Sequence, residues 1–285
     1  MRNVDFYVDP AVALRIHSLR GTMRSIHGGP VVFDDKRSFT LHLDTAEVGL
    51  KSSDLTALMN KYVFNYRGSP LTNLRVTMSG SQIVQKGTLH KALDVPFEIT
   101  ASLSVTPDGR IRIHPTKTVI LGLHVDHLMK ALGLSLDKII SLSGAKGATV
   151  RGNDILLDAT AILPPPVIEG RIAAIRVEGD EVVQTFTPDS RTLSVELPLP
   201  VAGASNYMYY KRGILRFGKL LMLDAEMLIT DLDPQDPFKF SLDRYNEQLV
   251  AGYSRTLPDL GLEVYMRDLD KLKQSRISVA SVPIQ

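Results

Sequence analysis

The chain contains no cysteine and no tryptophan among its 285 residues. The absence of cysteine excludes disulfides, thiolate metal sites and a cysteine nucleophile, but it does not decide the compartment, because periplasmic and cytosolic proteins can both lack cysteine. Aromatic residues make up only 6% of the chain and the formal net charge is +2. Without a run of lysine and arginine, or aromatic residues on which bases could stack, we predict no nucleic-acid partner.

Long apolar runs are also missing. No stretch approaches the ~20 uninterrupted apolar residues that a helix needs to cross a bilayer, and the opening MRNVDFYVDP lacks the apolar core of a signal peptide. Two interpretations stay open: a cytoplasmic protein, or a protein of the periplasm or cell envelope whose leader or anchor is absent from this sequence. The 44% of apolar residues and 22% of charged residues are ordinary for a globular chain.

Local catalytic and metal-binding signatures are weak. The chain has no G-x-S-x-G elbow, no H-E-x-x-H pair and no G-x-x-x-x-G-K loop. His124 and His127 could begin a metal site, but no further ligand lies at a suitable spacing. Asp231, Asp233 and Asp236 suggest a calcium loop, but its glycine and closing glutamate are missing. We therefore predict no metal and no cofactor, and no catalytic residue is assigned.

The strongest pattern lies between residues 95 and 166. Apolar and polar residues alternate over residues 97–105, which predicts a strand with one buried face. Thr106-Pro107-Asp108-Gly109 has the composition of a tight turn, and the alternation resumes over residues 111–123. These features predict a long antiparallel hairpin.

After this hairpin the apolar period changes from two to about three and a half. The stripe over residues 125–140 predicts one bent helix or two short helices that meet near Gly133, and residues 148–157 predict a second hairpin around Gly152. An earlier stripe over residues 55–63 predicts a short amphipathic helix, preceded by serines that can cap its N-terminus.

Most of the remaining chain has the alternation of strands. Residues 5–26 predict a first strand with a bulge or bend near Ser18. Residues 173–186 predict a hairpin, and residues 214–229 predict a strand pair or one long bent strand. The pattern of residues 238–253 fits either a strand or a helix.

In its order of elements the chain resembles the bacterial tubular lipid-binding (TULIP-like) proteins, especially the LmeA-type envelope family of actinobacteria. The similar segments are FEITASLSVTPDGRIRIHPTKTVILGL, VDHLMKALGLSLDKIISL and ATVRGNDILLD, within residues 38–186. The resemblance implies an α+β fold in which a long, highly curved antiparallel β-sheet wraps around two or three amphipathic helices. We assign residues 1–190 to this lipid-binding domain and residues 191–285 to a β-rich C-terminal extension that continues the same sheet system.

The resemblance also implies a function. The wrapped sheet of such proteins leaves an elongated apolar groove, so we predict that the chain binds a lipid or another hydrophobic ligand, for lipid transport or maintenance in the bacterial cell envelope. A phospholipase or esterase and a structural envelope protein that pairs through its sheet edges are the alternatives. Contact with a membrane surface, a homo-oligomer and an envelope partner are left open. The predicted lipid-binding residues are the apolar members of the helical stripes and of the inner strand faces: Leu55, Leu58, Met59, Tyr62, Phe97, Ile99, Leu103, Ile111, Ile113, Leu121, Val125, Leu128, Met129, Leu132, Leu136, Ile139 and Ile140.

Overall fold

The computed structural model describes residues 1–90, 93–120, 123–124, 135–187, 204–258 and 261–272. Strands account for 56% of the structure and helices for 12%, so the prediction of a strand-rich chain with few helices is confirmed. Within the described ranges, no helix has the length and apolar character that crossing a bilayer requires.

In chain order the described strands are β1 (Arg2–Asp9), β2 (Val12–Ser25), β3 (Val31–Val32), β4 (Phe39–Lys51), β5 (Leu71–Ser79), β6 (Gln82–His90), β7 (Asp94–Val105), β8 (Ile111–Ile120), β9 (Leu123–His124), β10 (Ala148–Arg151), β11 (Asp154–Leu157), β12 (Val167–Glu169), β13 (Arg171–Glu178), β14 (Glu181–Thr187), β15 (Tyr207–Lys211), β16 (Leu215–Phe217), β17 (Leu220–Met222), β18 (Glu226–Asp231), β19 (Phe238–Ser241), β20 (Tyr253–Thr256) and β21 (Leu262–Met266). The helices are α1 (Ser52–Leu58), which continues as a π-helical turn (Met59–Val63), α2 (Leu136–Ile139) and α3 (Tyr245–Val250), with 3-10 turns at Leu242–Arg244 and Leu269–Lys271.

The larger of two large sheets has eleven strands. Its spatial order is β13-β14-β4-β2-β1-β15-β18-β21-β20, and β12 and β19 add to β4 and β1 in parallel. One edge of β1 pairs with β2, and the other edge pairs with β15 and β19. Strands from both ends of the chain therefore belong to one hydrogen-bonded sheet.

The second large sheet is an antiparallel meander of β5, β6, β7 and β8, extended by β11 and β10. The predicted central hairpin is confirmed, because β7 and β8 pair up to Val105 and Ile111. Gly109 has a φ of 83° in the connecting turn, a conformation that glycine adopts without steric cost. The hairpin predicted around Gly152 is also confirmed, as β10 and β11.

The helix α1 contacts both large sheets, through β5 on one side and through β2 and β4 on the other. The predicted amphipathic stripe is confirmed, since Leu58 and Val63 are buried. The predicted serine cap is wrong, because Asp54 fills this role: its Oδ2 accepts a hydrogen bond from the Lys51 amide (3.1 Å) and its Oδ1 from the Ala13 amide of β2 (3.0 Å). A carboxylate in the first turn also complements the helix dipole. One buried side chain thus caps α1 and connects it to the larger sheet.

A small sheet of β3, β16 and β17 is attached to the larger sheet by aromatic packing. Phe33, next to β3, is only 2% exposed. Its ring centroid lies 5.2 Å from Phe217 of β16, 5.9 Å from Tyr245 of α3 and 6.0 Å from Phe240 of β19. Ring pairs of this kind contribute about 0.5–1.5 kcal/mol beyond their buried area, so β16 is held firmly against the larger sheet.

Two sequence predictions need correction. Residues 5–26 form two strands rather than one, because the chain turns at Pro10 between β1 and β2. The bulge predicted near Ser18 is present as a register shift after Ile16. Residues 238–253 contain both of the elements that the pattern left open, first β19 and then α3. Of the helix predicted over residues 125–140, the structure describes only residues 135–140, which contain α2. The rest of this segment, including His127, lies outside the described residues.

Candidate ligand-binding cavity

A largely apolar cavity of about 1080 Å³ is enclosed by side chains of both large sheets, α1 and the small sheet. Ligand pockets in proteins typically measure roughly 300–1,000 Å³, so this cavity is large. The walls follow from strand geometry, because alternate residues of a strand face the same side. The larger sheet contributes Leu14, Ile16, Val48, Leu50, Val182 and Phe186, and the second sheet contributes Ile83, Leu103, Ile111 and Ile113.

Five of the predicted lipid-binding residues line this cavity: Leu55, Met59, Leu103, Ile111 and Ile113. They come from α1, the π-helical turn that follows it, and the central hairpin. The unbranched, flexible side chain of Met59 is suited to a wall that must adapt to different ligand shapes. The structure therefore brings predicted residues of α1 together with residues of a hairpin that lie more than forty positions further along the chain.

The other predicted residues lie away from the cavity or outside the described residues. Those that are described but do not line it are Leu58, Tyr62, Phe97, Ile99, Leu136 and Ile140. All of these are buried except Tyr62, whose hydroxyl donates a hydrogen bond to Asp9 Oδ2 (2.7 Å). Outside the described residues lie Leu121, Val125, Leu128, Met129 and Leu132, together with the side chain of Ile139.

The polar groups of the cavity wall include the carboxylate of Asp44. In the pairing of β2 with β4, Arg20 is opposite Thr45 and Gly21 is opposite Leu43, so Asp44 is the additional residue of a bulge. Asp44 Oδ1 is buried and accepts no hydrogen bond from the described residues. A buried polar atom without a partner destabilises the fold by about 1–3 kcal/mol, and a hydroxyl or ammonium group of a ligand would satisfy it.

The exposed residues of the cavity wall lie in two short segments and mark its mouth. They are Thr22, Arg24, Gly29, Arg212, Gly213 and Ile214. Beyond Leu19, β2 pairs with β4 on one side and with no described strand on the other, and β15 meets β1 only where Tyr207 pairs with Arg2. The edges of β2 and β15 therefore flank the opening.

The mouth is basic. Arg24 and Arg212 are exposed and form no ion pair with any described residue. Lys211, which also lines the cavity, is neutralised by an ion pair with Glu226. The hydrogen bonds that Lys211 and Tyr209 donate to the Glu226 carboxylate hold its pKa below the usual value. Two arginines are thus the available charges at the entrance.

The second sheet carries a hydrogen-bonded group of side chains with the order that ester hydrolysis requires. Thr72 Oγ1 lies 2.6 Å from His90 Nε2, and His90 Nδ1 lies 2.5 Å from Asp94 Oδ1. A hydroxyl, an imidazole and a carboxylate connected in this order can act as nucleophile, base and orienting acid. None of these three residues lines the cavity, so the group is separate from the apolar site.

The carboxylates considered as calcium ligands lie in the C-terminal part of the larger sheet. Oxygen atoms of Asp233, Asp236 and Asp268 lie within 4.8 Å of one another. The ammonium of Lys271 contacts all three, at 3.5 Å from Asp236 and 2.9 Å from Asp268. Burial raises the pKa of the neighbouring Asp231 to about 6. The group is an ion-pair network that contains its own cation.

Comparisons of the chain with protein-family models, with curated proteins and with solved structures found no match. The resemblance to the tubular lipid-binding proteins therefore stays a prediction.

Proposed function

We propose that this protein binds a lipid or another hydrophobic ligand in the cavity. The observation that carries the proposal is a space of about 1080 Å³ whose wall is mostly apolar. Protein interiors are close-packed and contain few voids larger than a water molecule. A void of this size removes packing contacts from the side chains around it, and a hydrocarbon ligand would restore them.

The energy available from such a ligand is sufficient for stable binding. Burial of one methylene group contributes about 0.8 kcal/mol, so ten methylenes would contribute about 8 kcal/mol before the cost of ordering the chain. That is comparable to the free energy of a micromolar complex. A charged anchor is therefore not required for affinity, although it would orient the ligand.

The distribution of polar groups favours an amphipathic ligand. Arg24 and Arg212 at the mouth would attract an anionic head group such as a phosphate or carboxylate, while the apolar wall would hold the acyl chain. Asp44 offers an acceptor for a hydroxyl or ammonium group along the wall. An anionic lipid with hydrogen-bond donors near its head group has the chemistry that this arrangement would select.

The finer parts of the proposal come from the family resemblance. They are the wrapping of a long, highly curved antiparallel β-sheet around two or three amphipathic helices, a role in lipid transport or maintenance, and a place in the periplasm or cell envelope. The enclosure of the cavity by α1 and the faces of both large sheets supports only the first of these parts. The role and the location rest on the resemblance alone.

The proposal is tested on the purified full chain. Organic-solvent extraction followed by mass spectrometry should identify co-purified lipid, and native mass spectrometry should show the same mass added to the protein. A delipidated sample should take up a fatty acid saturably. Protein that retains no lipid and shows no saturable uptake would overturn the proposal.

A second candidate function, hydrolysis of a lipid ester, is favoured by the hydrogen-bonded group of Thr72, His90 and Asp94. Release of fatty acid from phospholipid micelles measures it. Thr72→Val is the informative variant because it removes the hydroxyl and nearly preserves the shape of the side chain. Turnover that disappears in this variant would support the candidate, and undetectable turnover with intact lipid binding would remove it.

A further inference from the structure

The hairpin of β16 and β17 exposes large apolar side chains beside the cavity mouth. Leu220, Leu221 and Leu223 are 46%, 50% and 72% exposed, and Ile214, which precedes β16 and lines the mouth, is 47% exposed. Grouped apolar residues on the surface of a soluble protein usually mark a binding surface. Because side chains alternate along a strand, Leu221 and Leu223 face one side of the hairpin and Leu220, opposite the buried Phe217, faces the other. We refer to Ile214, Leu221 and Leu223 as the leucine patch.

The exposure of the leucine patch does not result from a poorly packed hairpin. Leu215 and Phe217 of β16 are both buried, and the ring of Phe217 packs against Phe33 and Tyr245. The backbone of Ile214 accepts a hydrogen bond from the Val31 amide (3.0 Å). The inner side of the hairpin is thus anchored, and β17 is the outer strand of the small sheet.

Basic residues accompany the leucine patch. Residues 212–224 include Arg212, Arg216 and Lys219, with Asp224 as the acidic residue of this segment. All three cations are exposed and none has an ion-pair partner among the described residues. Arg24, on the opposite side of the mouth, adds a further positive charge. The surface around the opening therefore combines apolar side chains with unneutralised positive charge.

We propose that the β16–β17 hairpin docks this protein on an anionic lipid bilayer, with the leucine patch in the membrane interface and the arginines and lysine at the lipid phosphates. Apolar insertion combined with basic residues is the combination that holds peripheral proteins on membranes. Because Ile214 and Arg212 belong both to the cavity mouth and to this surface, docking would turn the mouth towards the bilayer. This inference rests on the proposed function, because the molecule that passes through the mouth is taken to be the lipid ligand.

Flotation with lipid vesicles tests the docking surface. The full chain is mixed with vesicles of phosphatidylcholine alone or of phosphatidylcholine with phosphatidylglycerol, at about 0.01 M and about 1 M salt, between which the screening length falls from ~30 to ~3 Å. The first variant is Leu221→Gln/Leu223→Gln. The second is Arg216→Gln/Lys219→Gln. Leu93→Gln/Val250→Gln is the matched control, since both residues are exposed apolar side chains outside the patch.

We expect the wild type and the control to float with phosphatidylglycerol vesicles at low salt and to be released at high salt. Each removed charge should weaken binding about fivefold, so the Arg216/Lys219 variant should bind about 25-fold more weakly. The leucine variant should lose binding to the phosphatidylglycerol vesicles even at low salt, because the positive charges alone would not hold it in the interface. Circular dichroism and thermal unfolding of each variant verify that the fold is retained.

Three outcomes would overturn the docking surface. The first is that the wild type does not float under any condition. The second is that both test variants float like the control. The third is that the wild type forms an oligomer that the leucine variant dissociates, which would make the patch an interface between copies. Lipid extraction of the same samples separates the two proposals. Retained lipid without flotation removes only the docking surface, whereas flotation of protein that neither retains lipid nor takes up fatty acid removes only the proposed function.

Discussion

Replacing Leu103 by tryptophan should fill part of the cavity and weaken ligand binding. Leu103 lies on β7, lines the cavity and is partly buried, so the larger ring can extend into empty space. Tryptophan has about six more heavy atoms than leucine. If these displace three ligand methylenes at ~0.8 kcal/mol each, the binding free energy weakens by about 2.4 kcal/mol and the affinity falls by about 50-fold.

The assay uses the absence of tryptophan elsewhere in the chain. In Leu103→Trp the new indole is the sole tryptophan, so its fluorescence should change when a fatty acid enters the delipidated protein. Displacement of a fluorescent fatty acid then gives the Kd of the wild type and of each variant on one scale. Leu103→Met is the matched control, because it nearly conserves the side-chain volume and should leave the Kd almost unchanged.

Equal Kd values for Leu103→Trp, Leu103→Met and the wild type, with the fold intact in all three, would refute this reasoning. The ring would then occupy no space that the ligand uses. A tryptophan variant that fails to fold would show instead that position 103 is close-packed, and the assignment of Leu103 to the cavity wall would be wrong.

Substitutions at Leu58, Gly21 and Asp231 test the packing and the electrostatics away from position 103. Leu58→Ala, at a fully buried site away from the cavity, should lower the free energy of unfolding by about 2–5 kcal/mol. Met59→Ala should lower the free energy of unfolding less, and it should weaken ligand binding. Urea denaturation in which Met59→Ala is the more destabilised variant would contradict this. Gly21→Ala should lower the thermal midpoint, because the added methyl group would collide with the backbone oxygen of His42; an unchanged midpoint would show that the bulge can relax. The pKa of Asp231 is raised from 3.8 to about 6, so its stabilising contribution is complete below about pH 4 and is lost as the pH rises through 6. The free energy of unfolding of Asp231→Asn should therefore gain about 3 kcal/mol relative to the wild type between about pH 3 and pH 7, and a difference that is constant with pH would refute the shift.

The elements that depend on local patterns could be predicted from the sequence. The glycines at 109 and 152 mark turns with positive φ, and the alternation on either side of each turn predicts the flanking strands. The apolar stripe after Lys51 predicts α1. Its actual cap could not be predicted from the serines alone, because Asp54 is fixed by a second contact, to Ala13 in a distant strand.

The cavity could be predicted only in part. Ile99 and Leu103 follow the same alternation on β7, yet only Leu103 lines the cavity. A register shift between Thr100 and Ala101 separates the two residues. The pattern identifies the apolar face of a strand but not what lies across from it. The mouth is formed by Arg24 and Arg212, which are far apart in the chain, and no local signal connects them.

The central position of β1 has a consequence for how the chain holds together. One edge of this strand is bonded to β2, while Val4 to Tyr7 pair with β19 on the other edge. A single cleavage of the chain between residues 188 and 203 would leave two fragments that share a continuous hydrogen-bonded sheet. We expect such fragments to co-purify and to separate only under denaturing conditions.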